Sequence, residues 1–343
     1  MPPLTVEDIQ DLVLSTLEEL GRGRWTDMTS DLQDHIAMRR ILNERAVRMQ
    51  GGKHVQFNAQ VRTGQAAKNV GLAATDDVNV VDVLTQGQVP WRHSTTNYAW
   101  DRREFNMNNP SAKQIVDLIQ VRRNSAWIDL AELMERNFWG KPSDSSDKLT
   151  PMGIDYWLVR NTTEGFNGGD PAGFSDGAAD LPVSEYPRWK NWTAQYEDVS
   201  KTDLVRKMRK AARFCRFRAP VPHPDYNTGD NYGYYTNYNV VGTMEELLEA
   251  QNDSLGNDVA SKDGQAMFRR RPVEWVPFLE DDEGDPVYGI NWGVFHPFFL
   301  SGEYLREDPP QKNPFAHTVV EVHVDLTYNF ICRDRRRQFI IAK

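Results

Sequence analysis

The strongest pattern in the chain lies near its end. In HTVVEVHVDLTYNFIC (317–332) apolar and polar positions alternate, and Val320, Val322, Val324, Leu326, Tyr328, Phe330 and Cys332 fall on one face. Period-two alternation marks a half-buried strand. About fourteen residues at ~3.3 Å each make roughly 46 Å of strand, far beyond the usual five or six residues. A helical pattern of similar reach precedes it in SAKQIVDLIQVRRNSAWIDLAELMERNFWG, ending at Gly140. Ile115, Leu118, Ile119, Ala126, Leu130, Leu133, Met134 and Phe138 recur at three- and four-residue steps. Asn109-Pro110 supplies an N-cap and a first-turn proline, and Gly140 a stop. Some thirty residues at ~1.5 Å give roughly 45 Å. The matched lengths predict a stretched spine, with the apolar face of the strand resting on the helix.

Shorter elements flank this pair. Ile9, Leu12, Val13, Leu17 and Leu20 form one stripe of a helix over 5–20, with Thr5 as N-cap and Gly21 as stop. A second helix is predicted from about Asp31 to Met49. KHVQFNAQV (53–61) then alternates as a strand, and the chain stays strand-like to about Asn106 with few large aliphatics. Some fifty residues with so little to bury cannot form a core of their own. They are expected to pack mainly on a neighbouring subunit; the alternative is a hairpin lid on the same chain. Residues 140–230 hold most of the loops, with a strand expected at Ile154–Val159, an aromatic cluster (Tyr186, Trp189, Trp192, Tyr196) and a helix at Lys201–Phe214. Met244–Asn252 reads as another short helix and 268–300 as extended and aromatic. There is no internal repeat, so the pieces belong to one interlaced unit.

Composition narrows the class. The 343 residues are 39% hydrophobic and 26% charged, with a formal net charge of −9. No run of about 18 apolar residues occurs, so no membrane span is expected. The N-terminus carries acids where a signal peptide needs a basic start, so export is not expected. Two cysteines, Cys215 and Cys332, cannot make a disulfide framework and fit a reducing compartment. The acidic balance argues against tight, uniform coating of nucleic acid.

Motifs with catalytic form fail on context. GFSDG (173–177) has the spacing of a nucleophile elbow around Ser175, but its flanks read as loop where a strand and a helix are needed. EDDEGDP (280–286) gathers carboxylates without the alternating spacing of a calcium loop. The seven histidines show no metal spacing, and GRGRW lacks the Lys-Ser/Thr pair of a phosphate loop. The reading is therefore no enzyme, no cofactor and no metal.

Two basic groups remain. LVRKMRKAARFCRFR (204–218) spreads Arg206, Lys207, Arg209, Lys210 and Arg213 over more than one helical face. It reads as a solvated helix, or as a contact for phosphates or for a partner's acids. The second group is the turn Arg333, Arg335, Arg336, Arg337, bracketed by Phe330-Ile331 and Phe339-Ile340-Ile341. It is expected at the tip of a hairpin, where crowded like charges need carboxylates or phosphates beside them. Arg333, Arg335, Arg336 and Arg337, with Trp91 and Trp100, are the candidate subunit contacts. Asp334 inside the cluster favours pairing with a neighbour's carboxylates over gripping DNA.

The order of elements, together with GIDYWLVRN (153–161), PRWKNWTAQYEDVSKTDLVRKMRKA (187–211), NWGVFHPFF (291–299) and NFICRDRRRQFIIA (329–342), resembles the major capsid proteins of tailed bacteriophages. The resemblance covers nearly the whole chain. It implies the α+β Hong Kong 97-type fold: an N-terminal arm (1–52), an extended β loop (53–108), a peripheral domain with spine helix 110–139 (109–149 and 301–343), and an axial domain (150–300). It implies a subunit that assembles with itself into hexamers and pentamers of an icosahedral shell. Packaged double-stranded DNA would be touched non-specifically, and scaffolding, portal and decoration proteins would be candidate partners. The location would be the virion, and the host cytoplasm before assembly. Lys53 and Lys68 fall in the loop region, where some members cross-link, but no cross-link is inferred. Two other readings stay open: an encapsulin-like nanocompartment shell, and a carbohydrate-binding or carbohydrate-active protein suggested by the many Trp and Tyr.

Overall fold

The computed structural model describes residues 36–40, 47–60, 69, 72, 84–104, 112–216, 231–252 and 266–343. Helices are α1 (Ile36–Arg40), α2 (Ala112–Trp139), α3 (Ile154–Trp157), α4 (Leu204–Phe214) and α5 (Tyr238–Asn252). Strands β1 (Val47–Met49), β2 (His54–Gln60), β3 (Leu84–Pro90) and β4 (Arg92–Asp101) precede α2. β5 (Gly165–Gly168), β6 (Asn191–Gln195), β7 (Tyr232–Thr236), β8 (Met267–Phe268) and β9 (Arg271–Trp275) follow. The last group is β10 (Val287–Asn291), β11 (Phe295–Leu300), β12 (Arg306–Glu307), β13 (Gln311–Lys312), β14 (Val319–Cys332) and β15 (Phe339–Ala342).

The long strand and long helix are both present. β14 runs 14 residues and α2 runs 28. β14 is the axis of a six-stranded sheet: β4 pairs with one edge from Val319↔Asp101 to Tyr328↔Arg92, and β11, β12 and β13 share the other. α2 lies on this sheet. Ala126 and Leu130 pack on Tyr98, Val322 and Val324 in one buried cluster. The alternation of β14 holds there and then fails, because from Leu326 to Cys332 every residue is buried. In that stretch the nominally outward positions find polar partners or core: Thr327 bonds His93 at 2.8 Å, Asn329 bonds Pro90 O at 2.7 Å, and Ile331 joins the main core.

A seven-stranded mixed sheet, in the order β5-β6-β15-β10-β7-β9-β8, forms the second layer. Both its faces are covered. On one face Tyr235, Tyr288, Ile290 and Ile340 belong to the main core. On the other, Tyr232, Tyr234, Phe339 and Ile341 meet α4 and α5 through Met208, Ala211, Val240 and Met244. The main core is an aromatic knot at the C-terminal end of α2. Phe138 stacks on Trp292 at 5.7 Å and meets Trp139, Phe295 and Phe330 edge-on at 4.9–5.7 Å. Such pairs add roughly 0.5–1.5 kcal/mol each beyond area burial.

Three expectations need correction. Of the helix expected over Asp31–Met49 the described residues show α1, but Val47–Met49 form β1, which pairs in parallel with β11. The expected strand Ile154–Val159 begins as the single turn α3, whose Ile154, Tyr156 and Trp157 are all buried; a run buried on every side has no strand-specific period. β4, assigned to the excursion over a neighbour, is an integral strand of this chain's own sheet. The excursion that remains is the two-stranded ribbon β2–β3, paired from His54↔Pro90 to Gln60↔Leu84. The helix expected at 5–20 with its Thr5 cap, the Asn109-Pro110 cap, and Lys68 lie outside the described residues.

Candidate functional site: the arginine crossover and the exposed ribbon

The NFICRDRRRQFIIA stretch is not a hairpin. β14 belongs to the six-stranded sheet and β15 to the seven-stranded one, so residues 333–338 carry the chain from one layer to the other. Asp334 starts a 3-10 turn over Arg335–Arg337, and its carboxylate accepts the Arg336 N–H at 3.1 Å.

Arg335 is not a surface contact. It is fully buried by this chain's own atoms, which corrects its assignment as a candidate subunit contact. Its Nε donates to Trp157 O at 2.8 Å, Nη1 to Trp189 O at 3.0 Å, and Nη2 to Gly169 O at 2.8 Å and Asn191 Oδ1 at 3.2 Å. Burial pulls its pKa down to about 10, so it stays charged at neutral pH. The planar fork of arginine suits acceptors converging from several loops, where a lysine would serve fewer.

The other three arginines resolve the crowding of charge in different ways. Arg333 is exposed and sits over the Phe298 ring at 5.8 Å. Arg336 is exposed and pairs with Asp334, Nε to Oδ1 at 3.0 Å. The side chain of Arg337 is only 6% exposed, with Nε 3.5 Å from Asp334 Oδ2, and its carbonyl accepts from the Tyr232 hydroxyl at 2.9 Å. The anion that the cluster demanded is therefore largely internal: one carboxylate, Asp334, serves two guanidiniums.

Buried amides complete the joint, and sequence reading did not single them out. Asn191 bonds Val159 in both directions at 3.1 Å while receiving Arg335. It fits because Gly168 faces it; a Cβ there would overlap the Asn191 amide. Gln338 accepts from Asn291 N at 2.6 Å and donates to Asn291 O at 3.1 Å, which ties β10 to the turn. Asn329 accepts from Met152 N at 2.9 Å. No pattern rule marks a buried amide, since Asn and Gln are common on surfaces.

Trp91 and Trp100 are both half-buried. Trp91 sits at the base of the ribbon, packs against the main core and donates to Gly52 O at 2.8 Å. Trp100 stacks on Tyr98 at 6.2 Å on the spine side. The ribbon base is held by buried Val55 and Val89, by Phe57 against Trp189 at 6.2 Å, and by Gln88 N donating to Ala179 O at 3.1 Å. Beyond that base, Leu84 and Leu72 are exposed.

The catalytic look-alikes dissolve. Ser175 is exposed, its hydroxyl donates to Asp176 at 3.3 Å, and it has a loop on either side. Two of the carboxylates of 280–286 are engaged by protein cations, Asp282 by Arg160 and Asp285 by Lys343 at 2.5 Å, and Glu280 accepts from Tyr238 N at 2.7 Å. Among the described residues no helix is long and apolar enough to cross a membrane.

No protein-family model matches the chain, and no curated protein is similar to it by sequence. Solved structures do match. The subunit in the cyanophage A-1(L) capsid asymmetric unit aligns with a TM-score of 0.63 at 13% identity, over 93% of this chain and 95% of that one. The capsid of the native GTA particle aligns with a TM-score of 0.55 at 13% identity, over 93% and 94%. That of the empty GTA particle gives 0.52 at 14% identity, over 92% and 99%. The chain thus has the α+β Hong Kong 97-type fold of capsid subunits, over nearly its whole length.

Proposed function

We propose that the protein is a major capsid subunit that works by assembling with copies of itself into a closed shell around double-stranded DNA. The observation that carries this reading is the fold correspondence with the cyanophage A-1(L) capsid subunit, over 93% of this chain and 95% of that one. The α2–β14 spine and its sheet take the role of the peripheral domain. The seven-stranded sheet with α4 and α5 takes the axial role at capsomer centres. The ribbon β2–β3, whose base is anchored and whose last described rung ends at exposed Leu84, takes the role of the arm laid over a neighbour.

A shell is held by many modest contacts, so each subunit needs extended reach more than one tight site. Arg333 and Arg336, the two crossover arginines that face solvent, and the exposed edge of Trp100 are the surfaces proposed to meet neighbours. Hexamers and pentamers, and a stay in the host cytoplasm before packaging, follow from the same reading. The protein performs no catalysis in it.

Negative-stain electron microscopy and sedimentation of the purified full chain test it. Closed particles are expected. A chain that stays monomeric across salt, pH and concentration, with and without proteins co-expressed from its own genome, would sink the reading. Particles filled with an enzyme and free of DNA would favour a nanocompartment instead.

A further inference from the structure

The basic face of α4 is not uniformly solvated. Lys207 and Lys210 are closed by ion pairs to Asp203 and to Glu164, the latter at 2.6 Å. The other flank borders a groove of about 400 Å³ between α4, α5 and the β8–β9 turn. Its floor is apolar, built from Val205, Met208, Met244, Leu247, Met267 and Val273. Met267 is 54% exposed although its neighbours Ala266 and Phe268 are buried. The rim is cationic, with Lys201, Arg209, Arg213 and Arg269. Arg269 is fixed against the end of α4 by bonds to Ala212 O at 2.9 Å and Arg209 O at 3.3 Å. Neither Arg209 nor Arg213 has a carboxylate partner among the described residues.

A greasy floor inside an arginine rim, on a chain of net charge −9, defines its ligand. Phosphate-gripping surfaces are polar throughout. An acidic amphipathic helix instead lays apolar residues into such a groove while its carboxylates meet the rim. We propose that the groove is the docking site for residues 5–20 of this protein, TVEDIQDLVLSTLEEL.

That segment carries Glu7, Asp8, Asp11, Glu18 and Glu19 and no lysine or arginine. Its Ile9, Leu12, Val13, Leu17 and Leu20 recur at helical spacing. Three methionines in the floor give a surface that adapts to leucine-like side chains. Arginine rims pair carboxylates with strong, charge-assisted bonds. Residues 21–35 separate that segment from α1, which begins at Ile36, and fifteen residues fully extended span at most about 50 Å. The inference concerns one chain's complementarity to itself and stands whether or not the shell reading does.

The test uses the full chain with a photoreactive benzoylphenylalanine in place of Leu247, irradiation, and mapping of cross-linked peptides by mass spectrometry. The same probe at the more exposed Met267 gives an independent position. Adducts to residues 5–20 are expected from both. Glu18→Lys with Glu19→Lys should cut their yield by about fivefold, and adding Arg209→Glu with Arg213→Glu should restore most of it. Arg209 and Arg213 are exposed, and an unchanged thermal melt would verify that replacing them leaves the fold intact. Absence of adducts to 5–20 overturns the proposal, as do adducts confined to residues 253–265 or a charge swap that restores nothing. A fluorescent DNA duplex that binds through Arg209 and Arg213 while no N-terminal adduct forms would make the groove a nucleic-acid surface, and would also overturn it.

Discussion

The Nε of Arg335 donates to the carbonyl of Trp157 at 2.8 Å, joining positions 178 residues apart. The two belong to different parts of the molecule: Arg335 to the crossover between sheets, Trp157 to the turn α3 beneath the aromatic knot. A guanidinium places its charge here on carbonyl dipoles and one amide, with no carboxylate in direct contact among the described residues.

Arg335→Lys keeps the charge and cannot span the same acceptors. Leaving two or more buried carbonyls unpaired should cost about 3 kcal/mol or more. Arg336→Ala, at an exposed pair with Asp334, should cost within about 0.5 kcal/mol. Urea unfolding of unassembled subunits measures both. Equal midpoints for the two variants would remove Arg335 from its role as the pin of the joint.

A second prediction concerns Gly289 and Phe339, paired neighbours in β10 and β15. The Phe339 ring lies over Gly289 so closely that a Cβ would overlap it. Gly289→Ala should therefore destabilise by about 1–3 kcal/mol through overpacking. Combined with Phe339→Leu, the loss should be less than the sum of the two single losses, because the smaller side chain vacates the space. Strict additivity in the double-mutant cycle would contradict this packing.

What could be read in advance follows from how many faces an element buries. α2 and the first half of β14 each bury one face, so Ala126, Leu130, Val322 and Val324 announce themselves by period. The fold class, the spine and the ribbon strand over 54–60 were legible for that reason, and the flanks of Ser175, expected as loop, are loop. α3 is buried all round, so Ile154–Trp157 carries no period and was read as strand. The crossover was misread for a related reason. Apolar residues on both sides of a basic turn fit a hairpin, but Phe330 and Phe339 enter two different sheets, and strand partners are not encoded by local alternation. The interior role of Arg335 rests on loops at Trp157, Gly169 and Trp189 that only the tertiary fold brings together.

Acid should weaken the loop that carries Asp147. Backbone N–H groups of Thr150 and Leu149 hold its carboxyl at about 2, below the ordinary 3.8. A depressed folded-state pKa contributes stability that is present above about pH 4 and is lost as pH falls toward 2. The loop matters beyond itself, because Arg92 of β4 donates to Asp147 O at 2.8 Å and Thr150 O at 3.0 Å. Asp147→Asn should lower the melting temperature at pH 6 and narrow the difference between pH 6 and pH 3 relative to the parent. The other depressed carboxyls, Asp282 and Asp285 among them, titrate in both proteins and cancel in that comparison. An unchanged pH difference would show that Asp147 is not the group lost.

The last prediction separates folding from assembly. Gln60 pairs with Leu84 at the last described rung of the ribbon, so residues 61–83 can be replaced by Asn-Gly, a pair suited to a two-residue hairpin turn. Everything that anchors the ribbon is kept: buried Val55 and Val89, Phe57 on Trp189, the Gln88–Ala179 bond and the Trp91–Gly52 bond. The shortened chain should melt within about 1 °C of the parent, a shift that corresponds to under about 1 kcal/mol for a chain of this length. It should fail to form closed particles, because what is removed is reach, not core. Particle counts by electron microscopy and melting by circular dichroism read the two properties independently. Normal shells from the shortened chain would show that the far end of the ribbon makes no essential contact. A melt lowered by three degrees or more (roughly 2 kcal/mol or above) would mean that residues 61–83 fold back on their own subunit as a lid.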